Sequence, residues 1–231
     1  MTSPQRIALI LGAGPRIGAA VAQRFAAEGY RVAIASRSGS AHSDKSILSL
    51  KADFSRPGSV ADVFAAVQKE FNVGPSVVVY NAATLTPPPA QGDVFSISVD
   101  SVEGDLVVNS VSSYAAAQAA VKAWEGMNGA GGKTFIYTGN YLNTKVPPVP
   151  FMTTLGMGKS AAAYWIGVAD AAYRDKGYRF FYADERKADG SSPGQNIDGE
   201  GHAEFYASLA RQEGDVPWQA TFVTGKGYVK F

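Results

Sequence analysis

Short runs of apolar residues alternate along the chain with longer stretches in which apolar positions recur every three or four residues. Arg6 to Leu11 is an apolar run ended by glycine, the pattern of a strand covered on both faces of a parallel sheet. Ile17, Val21 and Phe25 then fall at helical spacing within Ile17 to Glu28, and Gly29 supplies the stop. Further strands are predicted at Arg31 to Ala35, Ile47 to Ala52, Ser76 to Tyr80, Thr134 to Thr138 and Tyr178 to Ala183. Helices are predicted from about Val60 to Phe71, Ser101 to Met127 and Gly158 to Lys176, and again over His202 to Arg211. A last strand falls at either Ala220 to Val223 or Tyr228 to Lys230. Repeated β-α-β units with right-handed crossovers predict an α/β fold. It is a single-domain, Rossmann-type, doubly wound parallel sheet of about seven strands, with helices on both faces. No repeat, low-complexity segment or linker divides residues 1–231.

Composition narrows the possible functions. With 46% hydrophobic and 18% charged residues the chain has the make-up of a folded protein rather than a disordered one. A net charge of +1 gives no basic field for nucleic acid, so a small-molecule ligand is expected. The absence of cysteine excludes disulfides and thiol catalysis and is compatible with a reducing compartment. Two histidines, His42 and His202, lie far apart in sequence and argue against a histidine metal site. The first apolar segment runs straight into a glycine turn, so it reads as a strand rather than a leader, and no apolar run approaches the ~20 residues a membrane span needs. A cytoplasmic protein is the expectation.

The chemistry is concentrated first in Gly12-Ala13-Gly14-Pro15-Arg16-Ile17-Gly18, between the first strand and the first helix. In that context glycines permit a tight turn and close backbone approach, and a helix N-terminus offers free amides and partial positive charge to a diphosphate. The second strand ends Ala35-Ser36-Arg37-Ser38 without the carboxylate that commonly holds the ribose hydroxyls of NAD. Arg37 and Ser38, with Arg16 nearby, suit a 2′-phosphate, which makes NADP(H) the expected cofactor.

From these residues onward the chain resembles the short-chain dehydrogenase/reductase family over roughly residues 5 to 185. The glycine turn is similar to the family's T-G-x-x-x-G-x-G, with Arg16 where the middle glycine usually stands. Asp53 in Ala52-Asp53-Phe54-Ser55 resembles the acid that meets the adenine, and Asn81-Ala82-Ala83 resembles the N-A-G motif along the cofactor. Asn109 resembles the helix asparagine of the catalytic tetrad, and Lys159 the lysine of Y-x-x-x-K, which the resemblance also gives to the nicotinamide ribose.

The pattern departs from the family in its reactive half. Four residues before Lys159 stands Leu155, where the family has its proton-transferring tyrosine. The family's serine falls at Thr138-Gly139-Asn140, with Asn140 nearest to it, able to donate a hydrogen bond but not a proton. Ala183-Asp184-Glu185-Arg186 replaces the proline-glycine motif after the sixth strand. Tyr141, and Asp184 or Glu185 just beyond that strand's end, are candidate replacements for the missing acid. Packing and a loop ion-pair cluster are their respective plainer readings. An iminium substrate would need no proton donor at all.

The loops Thr84 to Val99 and Asn140 to Thr154 are expected to cover the substrate, and Lys187 to Gly201 to form a mobile lid. Tyr164, Trp165 and Tyr173 read as core or subunit-interface residues. With the alanine runs 115–117 and 161–163, the resemblance implies a homodimer or tetramer. The reading that follows is an NADP(H)-dependent oxidoreductase acting on a small carbonyl or imine, with Lys159, Asn140, Asn109 and Tyr141 as candidate catalytic residues. A non-redox NADP(H)-binding protein, and an isomerase or lyase using the same cleft, remain open alternatives.

Overall fold

The computed structural model describes residues 6–40, 42–127 and 132–231, so the first five residues of the expected domain lie outside the described residues. The strands are β1 (Ile7–Leu11), β2 (Arg31–Ser36), β3 (Leu48–Lys51), β4 (Val77–Tyr80), β5 (Lys133–Thr138), β6 (Tyr178–Glu185), β7 (Gln219–Val223) and β8 (Gly227–Tyr228). They form one sheet in the order β3-β2-β1-β4-β5-β6-β7-β8. Every pairing is parallel except the last, between β7 and β8. The chain reverses its direction of winding between β1 and β4, and the crevice outside the carboxyl ends of these strands is where such folds bind ligands.

The helices are α1 (Ile17–Ala27), α2 (Ser59–Phe71), α3 (Val99–Leu106), α4 (Ser112–Glu125), α5 (Thr153–Tyr173) and α6 (Gly199–Ala210). One face of the sheet is covered by α1 and α6, whose Val21, Phe25, Phe205 and Leu209 pack on Ile10, Val79, Ile136 and Phe181. The opposite face is covered by α2, α4 and α5, through Val67, Trp124 and Ile166 against Leu9, Val78, Phe135 and Phe180. Strands buried on both faces explain the unbroken apolar runs of β1 and β4.

Several expected boundaries are corrected. The first site offered for a last strand forms β7, and of the second only Tyr228 is in a strand, the two-residue β8, which pairs back on β7 because Gly225 and Gly227 at positive φ turn the chain into a hairpin. The helix expected over 101–127 starts at Val99 and is interrupted by a π-turn at Val107–Val111. The helix expected from Gly158 starts five residues earlier, at Thr153, and Leu155 and Lys159 therefore sit one turn apart on the same helix. The helix expected from His202 starts at Gly199, with the Asp198 carboxylate capping the amides of Glu200 and Gly201. Asp184 and Glu185 are the last residues of β6, not loop residues beyond it, and pair with Thr221 and Phe222 of β7. Acids can close a buried strand here because Arg186 and backbone donors meet their charges.

Candidate functional site

Three glycines of the first turn do different work. Gly12 has φ +98°, and a Cβ there would lie 2.3 Å from the Ala82 nitrogen, so the turn can press against the end of β4 only without a side chain. A Cβ on Gly18 would come within 2.7 Å of Ala13 Cα, so this glycine lets α1 close down on the turn. Gly14 is different: a Cβ there meets nothing within 4 Å. No packing inside the protein requires glycine at that position, and the space it leaves open belongs to the cleft. Asn81 locks the arrangement, its side-chain amide donating to the Gly12 carbonyl at 2.8 Å. The start of α1 carries no acidic residue and no capping side chain, and the amides of Ile17 and Gly18 have no acceptor among the described residues, which suits an anion.

These residues open onto a cleft of about 790 Å³. Gly12, Gly14, Arg37, Ser38, Asp53, Asn81 and Ala82 all line it, so the structure brings together most of the residues the sequence assigned to a cofactor. Arg16, Ile17, Gly18 and Lys159 do not line it; Arg16 is exposed and points a guanidinium nitrogen towards the Gln195 carbonyl at 3.5 Å. Asp53 accepts from both the amide and the hydroxyl of Ser55, which hold its carboxyl below the usual range. The sequence reading missed Asp105, which also lines the cleft and is 95% buried (5% exposed), with Oδ2 lacking a hydrogen-bond partner among the described residues. The only signal for it in the sequence was a carboxylate one turn before Asn109.

The second group gathers at the carboxyl ends of β5 and β6. Lys159 is buried; its Nζ donates to the Thr138 carbonyl at 2.6 Å and lies 4.4 Å from the centre of the Tyr137 ring. Burial lowers its pKa to about 7, against the opposing attraction of the Asp184 carboxylate. Asp184 is held by Arg186, whose Nε donates to Oδ2 at 2.7 Å, while Oδ1 has no partner among the described residues. Burial raises the Asp184 pKa, and the Arg186 and Lys159 charges work against that rise.

Beneath this group Tyr80, Tyr137 and Tyr182 stand on three neighbouring strands in register, stacked with ring centroids 5.9 and 5.6 Å apart. Each hydroxyl is already spent on a backbone carbonyl: Tyr80 on Val108, Tyr137 on Asn109 and Tyr182 on Asn140. Burial raises all three pKa values, so none is poised to ionise near neutrality. A Cβ at Gly139 would lie 2.3 Å from the Tyr182 ring, which is why that residue is glycine.

Asn109 sits in the π-turn and grips the loop after β4 with both ends of its amide, accepting from Thr84 N at 3.0 Å and donating to Thr84 O at 2.7 Å. A Cβ on Gly158 would lie 2.4 Å from Asn109 Cβ, so α5 crosses the π-turn only through this glycine. Asn140 caps the short turn Tyr141–Asn143 through its Oδ1, leaving its amide nitrogen as a donor. Tyr141 is half-buried, with the Arg186 guanidinium 5.9 Å from its ring centre and no hydroxyl hydrogen bond among the described residues. Leu155 is half-buried in the first turn of α5. The segment expected as a mobile lid is tied down, with Arg186 donating to Gly190 O, Lys187 N to Ser191 O and Asp198 N to Glu185 Oε2. Glu185 also faces His202, whose pKa burial lowers to about 4. Among the described residues no cluster of histidine and carboxylate side chains could hold a metal ion.

A glycine turn at the winding switch of a doubly wound sheet, opening into a cleft with an arginine at the end of β2, defines a Rossmann-type nucleotide-binding protein. Residues 12–162 match the family model adh_short_C2, described as enoyl-(acyl carrier protein) reductase. A short chain dehydrogenase/reductase, dmxR12 of Cryptosporiopsis sp. (strain 8999), is 41% identical over 243 residues, spanning 100% of this chain and 96% of that one. The chain belongs to the short-chain dehydrogenase/reductase family of oxidoreductases. Among solved structures, the fold is shared with a short-chain dehydrogenase/reductase from Serratia marcescens BCRC 10948 (TM-score 0.77, 23% identity, 95% of this chain and 96% of that one). It is shared also with a short chain dehydrogenase from Burkholderia cenocepacia J2315 in complex with NADP (TM-score 0.75, 22% identity, 96% and 97%).

Proposed function

We propose that this protein is an NADP(H)-dependent oxidoreductase that reduces a small organic carbonyl or imine from a site lacking the family's tyrosine. The observation that carries the cofactor choice is the cleft wall at the end of β2, where Arg37 and Ser38 stand and no carboxylate does. The NADP complex of the Burkholderia relative and the NADPH complex of another neighbour, BdcA, agree with this choice, although other neighbours carry NAD or NADH.

In this reading the amides at the start of α1 meet the diphosphate, and the open space at Gly14 admits it. Arg37 and Ser38 hold the 2′-phosphate, with Arg16 adding charge from outside the cleft wall. Asp53 meets the adenine, while Asn81 and Ala82 keep the turn in place. When bound, the dinucleotide supplies a hydride to the substrate carbon. A carbonyl substrate then needs a proton on its oxygen, and Lys159 Nζ is the group that can hold and release one near neutral pH. Asn140 donates a hydrogen bond through its amide nitrogen, Asn109 fixes the Thr84 loop that walls the site, and the Tyr141 hydroxyl is a second donor. An iminium substrate dispenses with the proton altogether.

All eight strands belong to one sheet, which supports reading the chain as a single domain. The α4–α5 face carries exposed Tyr114, Tyr164 and Val168, around a groove of about 570 Å³, and Trp165 Nε1 there lacks an acceptor among the described residues. A second copy of the chain on this face, giving a homodimer, would cover the exposed side chains. No helix among the described residues is long and apolar enough to cross a membrane.

Titration calorimetry of the wild type and Arg37→Ala with NADPH and NADH tests the cofactor reading. The variant should lose roughly 10- to 100-fold in NADPH affinity, the worth of one or two charge-assisted hydrogen bonds, and keep its NADH affinity. Equal loss for both dinucleotides would remove the 2′-phosphate from the argument. Following NADPH absorbance with a panel of aldehydes, ketones and imines then separates an oxidoreductase from the second reading, a non-redox binder or a lyase or isomerase in the same cleft. The specific observation favouring that second reading is Leu155, which cannot transfer a proton.

A further inference from the structure

We propose that Asp105 is the residue that reads the adenine base in this cleft, its buried carboxylate accepting a hydrogen bond from the exocyclic amine of the ring. The assignment rests on the dinucleotide reading above and adds to it a specificity-determining residue on α3.

Asp105 lies in the last turn of α3 and lines the cleft from the side opposite Arg37 and Ser38 in the chain's winding, next to Gly104 and Val108. It makes no hydrogen bond and no ion pair among the described residues; Oδ2 is buried without a partner, and Oδ1 is the accessible edge of a side chain that lines the cleft. Among the described residues the other buried acids each have donors: Asp170 has Arg174, Arg179 and Phe180 N, Asp184 has Arg186 on one oxygen, and Glu185 has Asp198 N and Thr224. A carboxylate withdrawn from water without a donor is costly, and buried polar groups are otherwise paired. The missing donor therefore comes with the ligand.

The walls around Asp105 indicate which donor it is. Phe54, Val108 and Ala82 contribute apolar surface to the same cleft, and a Cβ on Gly104 would meet nothing within 4 Å, so there is room for a ring beside this acceptor. Phosphate would be repelled by the carboxylate. An aromatic base with an amine on its edge satisfies both the apolar walls and the acceptor. Asp53, which also lines the cleft, has a side chain 43% exposed and an oxygen committed to Ser55. Water competes at Asp53, whereas at Asp105 a wrong base leaves the carboxylate unpaired. Buried groups of that kind are the ones that discriminate.

The test compares binding of NADPH with binding of its deaminated analogue, in which hypoxanthine presents a carbonyl oxygen where adenine presents the amine. Tryptophan fluorescence titration of the whole protein reads both. The wild type should prefer NADPH by about tenfold or more, the scale of one hydrogen bond to a charged group. In Asp105→Leu the preference should fall to near one, while NADPH still binds through its phosphates. In Asp105→Asn, whose amide oxygen can still accept, part of the preference should survive. The melting temperature of ligand-free Asp105→Leu should rise, because a buried carboxyl oxygen without a donor has been replaced by an apolar side chain; a carboxyl with a purely structural role would lower it instead. A preference unchanged in both variants, as expected if the carboxylate took a ribose hydroxyl common to both dinucleotides, overturns this assignment and leaves the cofactor reading standing. Failure of the wild type to bind either dinucleotide removes the cofactor reading and this assignment with it.

Discussion

Replacing Lys159 by Met probes a buried ammonium at the reactive end of the sheet. Lys159 is 5% exposed, and burial lowers its pKa from the ordinary 10.5 to about 7. Between those two values the unfolded chain holds a proton that the folded chain has released, so stability rises with pH across that window. Below about pH 7 both states are protonated and the folded state bears the whole cost of a buried ammonium. With these two pKa values the rise between pH 6.5 and pH 9.5 amounts to about 3 kcal/mol from this group alone. Lys159→Met keeps a flexible chain of similar length and removes the charge. Urea unfolding of both proteins at pH 6.5, 8 and 9.5 gives the comparison, and subtraction cancels the groups they share, including His202 and the buried tyrosines. The variant should be the more stable protein at pH 6.5, and its advantage should shrink by about 3 kcal/mol by pH 9.5. Parallel stability curves would refute the claim that Lys159 is held near neutrality. They would also remove the basis for treating its Nζ as the proton-carrying group.

Other perturbations test separate parts of the structure. Leu155→Tyr restores a phenol one helical turn before Lys159, and should raise the rate of NADPH oxidation with simple carbonyls at least tenfold, the lower end of what general acid catalysis contributes to a rate (about 100-fold or more) being discounted for imperfect placement; an unchanged rate would show that the site is not simply missing its acid. Gly158→Ala forces a methyl group into the 2.4 Å gap at Asn109 and should cost about 1–3 kcal/mol, lowering the melting temperature by several degrees. A melt indistinguishable from wild type would mean that α5 and the π-turn are not in contact. Val168→Glu places a charge on the exposed apolar face of α5 and should convert a dimer to monomers in sedimentation without loss of helical signal; a wild type that already sediments as a monomer would rule out that interface.

Much of this protein was legible in its sequence because the relevant signals are local. An apolar run ended by glycine gave β1, a β-branched run gave β4, and the glycine turn with Arg37 and Ser38 pointed to residues that line the cleft, since backbone conformation follows from short-range patterns. Arg16 fell short of that cleft, because its place in a motif says nothing about which way an exposed side chain extends. Other features depended on residues far apart in sequence. Lys159 is perturbed because α5 buries it against Thr138 and Tyr137, residues that no spacing rule connects to it, and the distant Asp184 only partly offsets that burial. The stacked tyrosines exist only because β4, β5 and β6 are in one register. Asp105 looked like any surface acid of a helix until folding closed the cleft around it and left it without a partner. Periodicity and turn chemistry therefore determined the scaffold, while burial, which sets the electrostatic cost of every charge, was decided only by tertiary packing.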